Sequence, residues 1–246
     1  MTERTVRIEV LRYRPETDER PEWQGYDVPC REDWVVLDAL NYIKDHLDGT
    51  LSYRWSCHMA VCGSCGLMVE GEPKLGCKTF LRDYGERVRV EPLENLAIER
   101  DLIVDMSDFG DKLAAVQPYL MPRGTPPDGE TYRQTPAQLD RFRQYSMCIN
   151  CLLCYAACPQ VGLNPGYIGP AALALAHRYD LNSRDAGHDR RAEVTASEQG
   201  VWECTFVGEC SEVCPKSVDP AGAIQQMKLA CSLDYVLHPL RKGEAS

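Results

Sequence analysis

No stretch of this 246-residue chain stays apolar for long. Its longest apolar runs, such as Ala171 to Ala176, fall far short of the roughly 18 residues that a membrane-spanning helix needs. A basic excess is also missing. Lys and Arg total 27 against 37 Asp and Glu, a net charge of -10. Nothing here makes a positive stripe able to neutralise phosphates, which excludes a nucleic-acid partner. Met1 to Arg12 alternates charged with apolar residues and lacks the hydrophobic centre of a secretion signal. These absences predict a soluble, cytosolic chain that reaches a membrane only by docking on something embedded there.

Cysteine is what the chain has in quantity, with thirteen residues. A disulfide framework belongs to an oxidising compartment and usually to an even count. Zinc is the stronger alternative, because CxxC pairs are common zinc ligands. Zinc takes four ligands, usually as two pairs set well apart, whereas Cys148, Cys151, Cys154 and Cys158 crowd into eleven residues.

Those four, followed by Pro159, read C-x2-C-x2-C-x3-C-P, the bacterial ferredoxin spacing. A second run, Cys204, Cys210 and Cys214 before Pro215, keeps the same frame but holds Val207 where its second cysteine would stand. In such pairs each run gives three thiolates to one cluster and its last cysteine to the other. Cys148, Cys151, Cys154 and Cys214 are then the ligands of a 4Fe-4S cube. Cys158, Cys204 and Cys210 leave the other cube one thiolate short, so a 3Fe-4S centre is expected there. A third signature, Cys57, Cys62 and Cys65 with Cys77 beyond, is the plant-type pattern for a 2Fe-2S centre. Gly63, Ser64 and Gly66 are small residues that let backbone N–H groups approach its sulfurs. Cys30 and Cys231 have no spacing partner and read as inert thiols.

Hydrophobic periodicity predicts an α+β chain. Val6, Ile8 and Val10 alternate with charge as a half-buried strand, and a second strand lies near Tyr26 and Val28. A helix is expected from Trp34 to Leu47, capped by Asp33, burying Leu37, Leu40, Ile43 and Leu47 and ending at Gly49. Leu67 to Val69 and Val88 to Val90 read as further strands. Residues 1–105 thus form a plant-type 2Fe-2S ferredoxin domain, β-grasp-like. Residues 106–246 form an all-helical, bacterial-ferredoxin-like domain with its cysteines in the loops. A helix with Leu102, Met106, Phe109, Leu113 and Val116 links the two. Further helices are expected from Thr135-Pro136 with Leu139, Phe142 and Tyr145 inward, from Gly169-Pro170, and from Asp219-Pro220. Met121 to Arg133 reads as a surface loop, and Asn182 to Glu198 as a solvated connection or short exposed helix. His46 and His188 read as surface residues, His58 as solvent-facing beside a cluster ligand, and His177 as a packing histidine.

The domain order and several motifs resemble the iron-sulfur subunit of succinate dehydrogenase and fumarate reductase. The motifs are Leu51-Ser-Tyr-Arg-Trp-Ser-Cys57, Cys62-Gly-Ser-Cys65-Gly, Pro73-Lys-Leu, Cys148-Ile-Asn-Cys151, Asn164-Pro165, Ile168-Gly-Pro-Ala-Ala172 and Cys204-Thr-Phe. Cys57-His-Met-Ala-Val-Cys62, Cys154-Tyr-Ala-Ala-Cys158 and Ala174-Leu-Ala-His-Arg-Tyr179 look like the fumarate reductase branch. The resemblance implies a wire from menaquinol through 3Fe-4S, 4Fe-4S and 2Fe-2S to the FAD of a flavoprotein subunit. It also implies one or two transmembrane anchor subunits holding the chain on the cytoplasmic face of the membrane. Its quinone contacts map onto Pro159, Thr205, Phe206 and Lys228, and Leu163 stands where many succinate dehydrogenases have tryptophan. Other readings are the same role in the reverse direction, a subunit of another flavoenzyme, and a free electron carrier.

Overall fold

The computed structural model describes residues 4–122, 124 and 131–242, with side chains as far as residue 236. Residues 123 and 125–130 of the expected surface loop lie outside it, as does the side chain of His238. The chain divides into two compact units. One is Met1–Met106 with Ile149–Ala157, and the other is Ser107–Cys148 with Cys158–Ser246. The segment carrying Cys151 and Cys154 therefore packs within the first unit, a return that one boundary near Asp105 does not describe.

In the first unit, β1 (Arg4–Arg12) pairs antiparallel with β2 (Glu22–Cys30), Val6 opposite Val28 and Ile8 opposite Tyr26. Alternation puts Val6, Ile8, Val10 and Arg12 on the buried side. The helix α1 (Val36–Tyr42) covers that side with Val36, Ala39 and Leu40, then continues as one wider turn, Ile43–Leu47. Its start differs from the expectation. Asp33 lies in the turn closed by Trp34 N–H to the Arg31 carbonyl, while Asp38 caps the helix by accepting from Val35 N–H at 2.9 Å. The widened turn rotates the last residues, so Leu47 faces solvent rather than the core.

Beyond α1, β3 (Gly66–Val69) turns through Glu70 and Gly71 into β4 (Glu72–Leu75). The strand β5 (Arg87–Glu91) runs parallel to β1 and antiparallel to β3, giving sheet order β2-β1-β5-β3-β4. One helix across a mixed sheet is the β-grasp-like arrangement expected. The strand β4 was not anticipated. A small hairpin, β6 (Ile98–Arg100) with β7 (Ile103–Val104), holds Leu102 in its turn. Leu102 is therefore not helical, because Asp101 is fixed left-handed (φ 47°) by bonds from Arg12, Tyr13 N–H and Ser52 N–H.

The second unit starts with α2 (Ser107–Ala115), later than the expected helix, burying Phe109. In α3 (Pro136–Asp140), Thr135 accepts from Gln138 N–H and Gln138 returns a bond from Thr135 N–H. The helix stops at Asp140, so Phe142 and Tyr145 are buried beyond it while Leu139 stays exposed. The short α4 (Leu153–Ala156) belongs to the first unit. Then come α5 (Pro159–Leu163), α6 (Pro170–Asp180), α7 (His188–Thr195), α8 (Glu209–Glu212) and α9 (Pro220–Lys242).

The stretch from Asn182 to Glu198 is not a solvated connection. Asn182, Asp185, Arg191 and Thr195 are buried. The Arg191 guanidinium pairs with Asp180 at 2.7 Å and with Asp185, whose carboxylate also accepts from Gly187 N–H and Met121 N–H. Opposite charges neutralise one another there, which lets a polar sequence go inside.

Candidate metal centres

None of the thirteen cysteines is in a disulfide. Among the described residues, no group of three or more His, Cys, Asp or Glu is arranged to hold a single metal ion. The first unit gathers Cys57, Cys62, Cys65 and Cys77 in the loop between α1 and β3 and at the end of β4. Three N–H groups, those of Met59, Val61 and Cys62, point at the Cys57 sulfur from 3.4, 3.3 and 3.3 Å. Ala60 N–H donates to the Cys77 sulfur at 3.3 Å, and Cys57 N–H to that of Cys62 at 3.5 Å. Left-handed residues make this convergence possible: His58, Ala60 and Gly63 have φ of 54°, 56° and 75°. Each non-glycine residue so placed costs roughly 1–2 kcal/mol, and the return is a ring of donors turned inward.

The Ser64 hydroxyl, then the Cys57 and Ser64 N–H groups, bring the Cys62 thiol down to about 6. Burial pushes Cys65 up to about 12, with Cys77 beside it. Donors aimed at sulfur, thiols close enough to feel each other and no disulfide fit an anionic iron-sulfur cluster. Ser64 was read only as a small residue, and its hydroxyl is a donor the spacing could not reveal. His58 is half-exposed, with Nε2 3.0 Å from Asp38 Oδ1, so the carboxylate that caps α1 also steadies the cysteine loop.

In the second unit, Cys148 and Cys214 stand 66 residues apart in sequence and pack against one cluster of Tyr145, Ala174, Val218 and Ala223. Val218 N–H donates to the Cys214 sulfur at 3.3 Å. Below Tyr145, the buried His177 bonds to Gln226 at 3.2 Å, and Gln226 reaches the Tyr145 hydroxyl. Burial holds the His177 imidazole below its ordinary value.

Cys158, Cys204 and Cys210 come together as another set. Burial pushes Cys210 up to about 12, and the nearby Cys158 and Cys204 add to it. Burial likewise raises Cys158. Phe206, left-handed at φ 59°, turns its N–H onto the Cys204 sulfur at 3.4 Å. Val207 follows at the surface, before the left-handed Gly208 that opens α8.

The quinone candidates lie around this set. Pro159 is the first residue of α5, and Gln160 beside it donates to the Thr205 hydroxyl at 3.2 Å. Phe206 is exposed, as are Leu163, Trp202 and Val207. Lys228 is not a solvated helical lysine: its ammonium donates to the Cys204 carbonyl at 2.6 Å. Cys30 is buried and Cys231 half-buried, neither within these sets.

Residues 7–111 match a family described as a 2Fe-2S iron-sulfur cluster binding domain, and residues 141–215 match a 4Fe-4S dicluster domain. The chain is 57% identical over 245 residues to a fumarate reductase iron-sulfur subunit of Mycobacterium tuberculosis, covering 98% of this chain and 97% of the relative. It is 35% identical to a succinate dehydrogenase iron-sulfur subunit of Coxiella burnetii, covering 89% and 94%. Among solved structures, a chain of the Mycobacterium smegmatis Sdh1 complex in the apo form superposes with a TM-score of 0.86. It is 27% identical, with 94% of this chain and 97% of that one covered.

Proposed function

The chain belongs to the family of iron-sulfur subunits shared by fumarate reductases and succinate dehydrogenases, and from there we propose that it serves a membrane-bound quinol:fumarate reductase. It is an electron-transfer subunit of an oxidoreductase complex, and no helix among the described residues is long and apolar enough to cross a membrane. The observation that carries the proposal is the set of cysteine sulfurs onto which left-handed loops turn their N–H donors, in a chain nearer in identity to the fumarate reductase subunits than to the succinate dehydrogenase ones.

Cys57, Cys62, Cys65 and Cys77 would hold a 2Fe-2S centre, Cys148, Cys151, Cys154 and Cys214 a 4Fe-4S centre, and Cys158, Cys204 and Cys210 a 3Fe-4S centre. Bound there, the clusters would supply one-electron carriers in series between the two-electron couples of menaquinol and the FAD of the flavoprotein subunit. The chain's own work is to fix sulfur positions and set the charge around them. N–H groups aimed at sulfur favour the more negative, reduced state and so raise the potential. Val207 offers no thiolate, which keeps one corner of the quinone-side centre open. Lys228 brings a cation to a half-buried place beside Thr205 and Phe206, where it favours negative charge on a quinol oxygen losing its proton.

Exposed Leu229, Leu233 and Val236 recur at four- and three-residue steps along α9, making an apolar stripe in water. That stripe, with Phe206 and Leu163, supports docking on one or two transmembrane anchor subunits, on the cytoplasmic face. The test is anaerobic turnover of the intact complex with a menaquinol analogue and fumarate against succinate and a ubiquinone analogue. Faster fumarate reduction supports the proposal. Much faster succinate oxidation would assign the same residues to a succinate dehydrogenase.

A further inference from the structure

Gly63 and Gly66 are explained by sequence through their own loop, but their surroundings give another reason. A Cβ on Gly66 would fall 2.9 Å from the carbonyl oxygen of Cys151 and 3.3 Å from side-chain atoms of Leu153 and Leu93. A Cβ on Gly63, where φ is +75°, would fall 2.7 Å from the Ile149 carbonyl oxygen and 3.0 Å from the Cys151 Cβ. Both glycines therefore press on one residue, Cys151, whose segment belongs to the same compact unit. Asn95 secures the far end of that segment, its side-chain amide donating to the carbonyls of Tyr155 and Ala156, each at 3.0 Å. On the other side, Gly76 N–H holds the Cys65 carbonyl at 2.8 Å.

Resting on the cluster assignment above, we propose that Cys151 is the ligand through which the 4Fe-4S centre exchanges electrons with the 2Fe-2S centre, and that Gly63 and Gly66 are positioning residues that hold it in contact with the Cys62–Cys65 loop. The covalent path runs from the Cys65 sulfur along its backbone to Gly66, crosses one non-bonded contact, and continues through the Cys151 backbone to its sulfur. In the fumarate-reducing direction one electron leaves the reduced 4Fe-4S centre and reduces the oxidised 2Fe-2S centre by one. No bond forms or breaks and no proton moves. A methyl group at Gly66 meets backbone rather than the end of a flexible side chain, so the peptide of Cys151 must give way.

The test uses the anaerobically purified complex and its Gly66→Ala variant, with iron content and EPR spin counts confirming both clusters. Gly71→Ala is the control, since an added Cβ on Gly71 meets nothing within 4 Å and its φ of 77° makes it the harsher test of backbone strain alone. Two quantities are read: the microwave-power saturation of the 2Fe-2S signal with the 4Fe-4S centre oxidised or reduced, and the rate of transfer between the two after pulsed photoreduction. The inference predicts that Gly66→Ala slows transfer several-fold and weakens the relaxation enhancement, while Gly71→Ala matches the unmodified complex. Gly66→Ala with both clusters intact, and with relaxation and rate unchanged, overturns it. Should Gly66→Ala fail to load its clusters, Asn95→Ala is read in the same way, and an unchanged rate there is equally adverse. If reducing the 4Fe-4S centre leaves 2Fe-2S relaxation untouched in the unmodified complex, the cluster assignment itself is wrong.

Discussion

The ammonium of Lys228 lies 2.6 Å from the carbonyl oxygen of Cys204, a bond between the long last helix and a loop 24 residues earlier. It places a fixed positive charge next to a cysteine assigned to the three-iron centre. Lys228→Met keeps the length of the side chain and removes the charge. Quinol-dependent fumarate reduction should fall by about a hundred-fold, the scale for losing one donor to a developing oxyanion. Fumarate reduction from a viologen dye, which bypasses quinol, should persist. Equal quinol activity in the variant would remove Lys228 from the quinone site.

Arg12 is the hidden support of the 2Fe-2S loop. Its guanidinium is buried, with Nε 2.9 Å from Asp101 Oδ1 and Nη1 2.7 Å from Asp48 Oδ2, and Asp101 also accepts from Ser52 N–H at 2.8 Å. Removing one partner of a buried pair costs about 3–5 kcal/mol, so Arg12→Met should bleach its 2Fe-2S absorbance at a clearly lower temperature. A cost under about 1 kcal/mol, as for a surface pair, would show that the network is not structural. The same cluster sets an acid limit. Burial opposes ionisation of Asp48, but bonds from Thr50, Tyr26 and Arg12 outweigh it and hold the carboxyl well below its usual range. Its stabilisation is complete above the ordinary value of about 3.9 and is lost as pH falls through the lower folded value. Asp48→Asn should therefore be less stable than the unmodified chain at neutral pH, with the gap closing in acid.

His188 on α7 sits with Nδ1 3.3 Å from Asp180 of α6 and Nε2 3.7 Å from Asp234 of α9. The bond to Asp180 raises its pKa against the opposing effect of burial, and Arg191 shares the same Asp180. A raised folded value means the stabilisation is full below the ordinary histidine value of about 6.5 and disappears as pH rises through the folded one. Amide hydrogen exchange in α7, corrected for intrinsic rates, should thus quicken in alkali, and His188→Gln should abolish that dependence. Identical profiles for the two proteins would show that the contact carries no pH-dependent energy.

The parts of the fold visible in sequence are those written in periodicity. Val6, Ile8 and Val10 gave the first strand, and Thr135-Pro136 gave a helix start. Extending the first alternation by two residues would have taken Arg12 inside, but an arginine there reads as solvent-facing until Asp101, 89 residues on, is seen beside it. Glu72–Leu75 was missed because Glu, Pro and Lys are poor strand formers, tolerated at this edge position. The charged segment around Asp185 and Arg191 looked solvated because its neutralising pairs form only in three dimensions. Among the candidate site residues, the first unit brings Cys57, Cys62, Cys65 and Cys77 together, and the second brings together Cys158, Cys204 and Cys210, and Cys148 with Cys214, as their spacing suggests. The donors around them are not legible there: the Ser64 hydroxyl looks in sequence like any small side chain, and the N–H of Phe206 depends on a left-handed turn at a non-glycine residue that no spacing records.

The most direct test of the whole account is Val207→Cys. Val207 is exposed between left-handed Phe206 and Gly208, so a thiol there disturbs no packing and stands at the position where the ferredoxin frame would have its second cysteine. EPR of the oxidised, anaerobically purified complex should lose the three-iron signal as a fourth iron is retained, with a lower midpoint potential and weaker quinol-dependent turnover. An undiminished three-iron signal in that variant would contradict the assignment of Cys158, Cys204 and Cys210 to a centre left open at Val207.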